Sequence, residues 1–127
     1  MLDHLVVKVA DFARAKAFYE EIMPVLGAHL MMEFGPEVTG NVRVAGFGRD
    51  KPDFWLAEGG PTAPPIHLAF TAQGRAMVDR FHAAAIAAGA SDNGAPGLRP
   101  EYHEHYYGAF VRDPEGHNIE AVCHRPE

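Results

Sequence analysis

The sequence predicts an α+β fold in which paired βαβββ modules form a barrel-like mixed sheet around a central cleft. Three observations point to it. A valine-rich strand followed by a helix and then about three strands occurs twice along the chain. The opening strands of the two halves, DHLVVKV and IHLAFTA, each carry a histidine in second place, His4 and His67. Both helices end in Gly-Ala, at Gly27-Ala28 and Gly89-Ala90, and Arg49-Asp50 in the first half is matched by Arg112-Asp113 in the second. Halves of this size are too small to bury separate cores, so the 127 residues read as one domain built from modules 1–60 and 65–125.

Each element follows from local pattern. HLVVKVA, His4 to Ala10, is β-branched and short, which suits a strand. Asp11 can cap the helix that follows, where Phe12, Ala15, Phe18, Tyr19 and Ile22 recur at helical spacing. Pro24 ends the regular turns and Gly27 closes the unit. AHLMMEF, VRVAGFG and DFWLAE are short and bounded by Gly, Pro or charge, so all three read as strands. GGPTAPP, from Gly59 to Pro65, lacks the N–H groups of a central strand and serves as the linker. IHLAFTA restarts the pattern, and the alanine-rich GRAMVDRFHAAAIAAGA forms the second helix. SDNGAPGLRPEYHEH reads as a long polar connection. YYGAFVRD and HNIEAVCH are strands joined at DPEG, where Pro and Gly meet the needs of a turn.

Composition narrows the functional classes. With 47% hydrophobic and 22% charged residues the chain is globular. No apolar run approaches the roughly 18 residues of a membrane span, and the N-terminus reads as a strand rather than a signal peptide. The net charge is -6 and no Lys/Arg cluster could follow a phosphate backbone, so neither nucleic acid nor membrane is expected as a partner. The single Cys123 forms no internal disulfide, consistent with a reducing, cytoplasmic setting.

The chemistry centres on Glu120, a carboxylate between apolar residues in NIEAV. Burying it without a partner is expensive, so a hydrogen-bonding side chain, an arginine or a metal ion must answer it. Strand alternation places His4, Val6 and Lys8 on one face of the first strand, His67 and Ala69 on the equivalent face of its repeat mate, and Asn118, Glu120 and Val122 on one face of the last strand. Leu5, Val7, Val9, Leu68 and Phe70 then face the helices. Two imidazoles and one carboxylate converging from three strands would make a facial triad for a divalent ion, leaving adjacent positions open to water and substrate. Each of the three also has a simpler reading, as a hydrogen-bonded strand-end histidine or a salt-bridged edge glutamate.

The residues also carry a resemblance. DHLVVKVADFARAKAFYEEIMPVLG, IHLAF and FVRDPEGHNIEAV, with the repeat, resemble the vicinal oxygen chelate superfamily, which unites glyoxalases, bleomycin-resistance proteins and extradiol dioxygenases. The resemblance implies paired βαβββ modules and a divalent ion (Fe, Mn, Ni or Zn) that chelates neighbouring oxygens of a small organic substrate. It places the ligands on His4, His67 and Glu120, and it implies a homodimer. The fourth carboxylate ligand of glyoxalase I-type sites is missing, since Trp55 occupies the repeat position of Glu120. Lyase or dioxygenase chemistry remains open, and the alternative is a metal-free protein that binds a small molecule or antibiotic. In EYHEHYYGAF, the densest group of proton-handling side chains, His103 and Tyr107 are the expected substrate contacts, with His105 and Tyr106 beside them. Trp55 and Phe47 are expected to wall the cleft with aromatic surface, and Arg112 and Asp113 to fix the turn by a salt bridge.

Overall fold

A computed structural model covers residues 1–127. The first module contains strand β1 (Leu5–Val9), helix α1 (Phe12–Ile22) with a 3-10 turn at Met23–Leu26, β2 (His29–Phe34), a one-turn helix α2 (Pro36–Thr39), β3 (Val44–Gly48) and β4 (Phe54–Glu58). The second contains β5 (His67–Thr71), α3 (Arg75–Ala87), β6 (Ser91–Leu98), β7 (Tyr107–Arg112) and β8 (Asn118–Cys123). Each module makes its own four-stranded sheet, ordered β1-β4-β3-β2 and β5-β8-β7-β6. In both, the first strand pairs in parallel with the last and the other pairings are antiparallel. The α+β class and the paired modules are as expected, and neither sheet closes into a barrel.

The expected caps and stops are in place. Asp11 accepts a hydrogen bond from the Arg14 N–H at 3.1 Å and so caps α1. Gly27 takes φ 79°, the left-handed conformation that ends the 3-10 turn after Pro24. The segment read as a long polar connection contains a strand instead, β6. It lies at the sheet edge, where Pro96 costs no ladder bond, and its pairing with β7 shifts register around Gly94 and Gly97. With Gly, Pro, Asn and Asp in eight residues, it has no alternation to betray it.

The helix-facing sides of the two sheets share one core. Phe12, Phe18, Tyr19 and Ile22 from α1, Val7 and Val9 from β1, Phe81 from α3 and Ile119 from β8 belong to a single buried cluster. Phe54 of the first module meets Phe70 of the second edge-on, with ring centroids 5.3 Å apart. Polar links join the modules too. The Tyr19 hydroxyl donates to buried Asp113 at 2.6 Å, and Glu115 accepts the N–H groups of Ala10 at 2.8 Å and Asp11 at 3.1 Å. Asp113 fixes the DPEG turn through the N–H groups of Glu115 and His117, not through a salt bridge to Arg112, whose guanidinium donates to the Gly116 carbonyl. The shared element is thus the core. The opposite faces of the two sheets are the open ones, and they do not enclose a common central cleft within one chain.

Candidate metal centre

The open face of the second sheet carries the buried carboxylate. Parallel register sets Ala69 opposite Glu120 and His67 opposite Asn118. Glu120 is 1% exposed, yet both its oxygens are engaged. His67 Nε2 lies 2.9 Å from Oε1, and the Tyr106 hydroxyl donates to Oε2 in a short hydrogen bond. The His67 side chain keeps 51% of its surface exposed, so the pair is reachable from solvent on the imidazole side. Gly108 makes the arrangement possible: a Cβ there would stand 3.0 Å from Glu120 Oε2 and 3.1 Å from the Tyr106 ring.

Tyr106, not Tyr107, joins this group. Strand alternation gives the reason. Residues 106, 108 and 110 share the face of Glu120, while Tyr107 shares parity with buried Ala109 and Val111. The Tyr107 hydroxyl donates to Asp79 of α3 at 2.7 Å, and the Arg75 guanidinium covers its ring at 5.3 Å. The carboxylate beside Tyr106 and its partial burial act on its acidity. Burial first, then the hydrogen bond to Glu120, holds its phenol well above the usual value, so it stays a donor across the physiological range. Parity along β7 singles it out once the register against β8 is known.

His103 stands one step back from the carboxylate. Its Nδ1 accepts the His105 N–H at 3.1 Å, which assigns the proton to Nε2, and Nε2 donates to His124 Nδ1 at 2.7 Å. The two imidazoles stack at 5.0 Å, and both meet the Tyr106 ring edge-on. His103 therefore packs on the residue that holds Glu120. His124, for which the sequence offers no partner, completes the stack.

His4 lies on the open face of the first sheet. Its Nδ1 is 2.7 Å from Asp3 Oδ1, an arrangement that leaves Nε2 as the free donor nitrogen. Lys51 pairs with the other oxygen of Asp3 and is the main reason its carboxyl sits below the ordinary range, with His4 second. His4, Val6, Pro52 and Trp55 line a shallow cavity of about 360 Å³ together with Asp3. Val6 faces Trp55 across the sheet as Ala69 faces Glu120, so tryptophan does hold the repeat position of the glutamate. Trp55 stacks on Phe34 and forms the aromatic wall, but Phe47 is in the core and forms no part of it. A larger cavity of about 520 Å³, bordered by Met23, Phe54, Phe70 and Arg49, contains none of these donors.

The imidazole and carboxylate of His67 and Glu120 are fitting donors for a divalent cation. One chain does not bring a third donor to them: no three His, Cys, Asp or Glu side chains are grouped to hold a metal. One chain thus presents a histidine on the open face of one sheet and a histidine–glutamate pair on that of the other.

The fold and these positions can be set beside known proteins. Residues 1–121 match the family model of the Glyoxalase/Bleomycin resistance protein/Dioxygenase superfamily. The chain belongs to this superfamily. A glyoxalase/bleomycin resistance protein from Albidiferax ferrireducens T118 superposes with a TM-score of 0.74 at 27% identity, covering 99% of both chains. A glyoxylase/bleomycin resistance protein/dioxygenase domain from Frankia sp. EAN1pec gives 0.74 at 20% identity over 98% of each chain. The fosfomycin resistance protein FosX from Listeria monocytogenes, solved as a mutant complexed with Mn(II) and 1S,2S-dihydroxypropylphosphonic acid, gives 0.71 at 19% identity, covering 96% of this chain and 90% of its own. No curated protein matches the chain significantly.

Proposed function

We propose that this superfamily member is a divalent-metal-dependent enzyme acting on a small organic substrate with vicinal oxygens, through lyase or dioxygenase chemistry. The observation that carries the reading is Glu120, a carboxylate 1% exposed whose Oε1 sits 2.9 Å from a solvent-reachable histidine nitrogen. His67 and Glu120 would hold the ion, with His4 as the third ligand, and the bound ion (Fe, Mn, Ni or Zn) would supply Lewis-acid polarisation of a substrate oxygen. The chain's own residues prepare that site. Tyr106 keeps Oε2 engaged and so orients Oε1. Asp3 holds His4 by Nδ1 and presents Nε2. Phe110, opposite Glu120 in the ladder, supplies apolar surface that limits water beside the carboxylate.

The third ligand requires a second copy, and the reading therefore includes a homodimer. A twofold pair that apposes the first sheet of one chain to the second sheet of the other brings His4 of one copy to His67 and Glu120 of its mate, twice. The open face of the first sheet suits burial: Val6 is 49% and Met32 46% exposed, beside Trp55 and Phe34. β1, which follows His4, and β5, which begins at His67, both lie at sheet edges, and the linker bonds the Lys8 and Val9 carbonyls of β1.

Metal content after purification without chelator tests this directly. One ion per chain is expected, lost in His4→Ala, in His67→Ala and in Glu120→Gln. Coexpressing the two histidine variants separates a shared site from one within a chain. In the isolated mixed dimer one site loses both histidines and the other keeps all three ligands, so about half the metal should return to that species. No return would place all three ligands in one chain. Protein that takes up none of the four ions after reloading would sink the enzyme reading in favour of a metal-free binder.

A further inference from the structure

Arg99 lies beside this face and takes no part in the proposed metal site. Its guanidinium covers the ring of Phe110, 5.4 Å from the centroid, while the His67 ring lies 6.0 Å from the same centroid. Phe110 is in turn paired with Glu120 across the sheet. The cation and the histidine thus both lie against one aromatic ring. Arg99 is half-buried and takes part in no ion pair. The guanidinium's one hydrogen bond runs from Nη2 to the Ala95 carbonyl at 2.8 Å, leaving most of its five donors unused.

Its seat is built by glycines. A Cβ at Gly97 would lie 3.1 Å from Arg99 Nη1. At Gly94, where φ is 149°, it would meet Phe110 at 3.0 Å and Arg99 Nη2 at 3.3 Å. The irregular strand β6, with its two register shifts, therefore leaves a bare strip of backbone close against which the guanidinium packs. A planar cation held over an aromatic face with its fork of donors free is suited to a planar or tetrahedral oxyanion.

We infer that the substrate carries an anionic group, a carboxylate or similar oxyanion, set apart from its metal-chelating oxygens and bound by Arg99. The inference rests on the proposed metal site and names the substrate class for it. The net charge of -6 disfavours anions at long range, but a half-buried arginine beside the site sets the local field.

Two ligands that share a vicinal oxygen pair and differ in one charge provide the test: catechol and 3,4-dihydroxybenzoate. Calorimetric binding to the manganese-loaded dimer should favour 3,4-dihydroxybenzoate by about tenfold or more, the range of a charge-assisted hydrogen bond. Arg99→Gln should bring the ratio close to one, and Arg99→Lys should keep part of it. Gly97→Ala, which moves the guanidinium without removing its charge, should also lower the ratio. An unchanged ratio in Arg99→Gln would overturn the inference and reduce Arg99 to a clamp on the β6 backbone, as would equal binding of both ligands to the unmodified protein. Failure of both ligands to bind, or binding that survives Glu120→Gln, would instead overturn the metal site and this inference with it.

Discussion

At the scale of single residues, the decisive interaction is the hydrogen bond from Tyr106 to Glu120. It keeps a carboxylate in a nearly sealed position without a formal positive charge. Tyr106→Phe would leave Oε2 without its donor, a loss of about 1.5–3 kcal/mol for a hydrogen bond to a charged group. Two outcomes are expected together: a lower melting temperature for the metal-free protein, and metal affinity reduced about tenfold to a hundredfold, as for other partners that orient a ligand. Titration with Mn(II) beside a melting curve reads both, and a variant that melts lower but binds metal unchanged would show that Tyr106 does not orient Glu120. The sequence made His4, His67 and Glu120 visible because each repeats, or breaks, a strand pattern. The choice between Tyr106 and Tyr107 needed the register of β7 against β8, because YGAFVR itself shows no alternation. His124 was not visible, since its partner His103 lies across a loop that no periodicity describes.

At the scale of elements, sequence and structure agree wherever a face is apolar. The helical stripe from Phe12 to Ile22 and the alternation in β1 and β5 each report one more-buried side, whereas β8 is buried on both. β6 escapes because its glycines report backbone proximity instead of burial. Gly108 in the neighbouring strand belongs to the same class, and its role is testable. Gly108→Ala should leave the strand intact, as alanine adopts extended backbone readily and only the side chains of Glu120 and Tyr106 are in its way. Circular dichroism should match the unmodified protein while metal affinity falls about tenfold or more, the cost of disturbing an orienting contact. Unchanged affinity would mean that the carboxylate is held elsewhere, and loss of the fold would mean that the close packing at residue 108 sustains the sheet itself.

At the scale of the whole molecule, the repeat was legible but its geometry was not. Matching histidines suggested a common centre within one chain. The hydrophobic faces took precedence: sharing one core between two small modules turns the helix-facing sides together and leaves the histidine faces open. Among the polar contacts between the modules, the buried one is the link from Tyr19 to Asp113, ninety-odd residues apart in sequence. Burial, then the neighbouring Asp113 carboxylate, raises the Tyr19 phenol well above its ordinary value of 10.0. The folded chain therefore holds that proton more tightly than the unfolded chain. Its contribution is complete below the unfolded value, about pH 10, and is lost as pH rises from there toward the folded value. Denaturant unfolding should accordingly show stability falling with pH above about 10. Tyr19→Phe should be less stable at neutral pH, by about 1.5–3 kcal/mol for the lost bond to a carboxylate, and its alkaline slope should be shallower. Equal slopes in the two proteins would mean that Tyr19 does not couple the modules through its proton. In the proposed twofold pair each half-site would be presented through this joint, so loosening it should also lower metal retention, whereas a site held within one module would keep its metal.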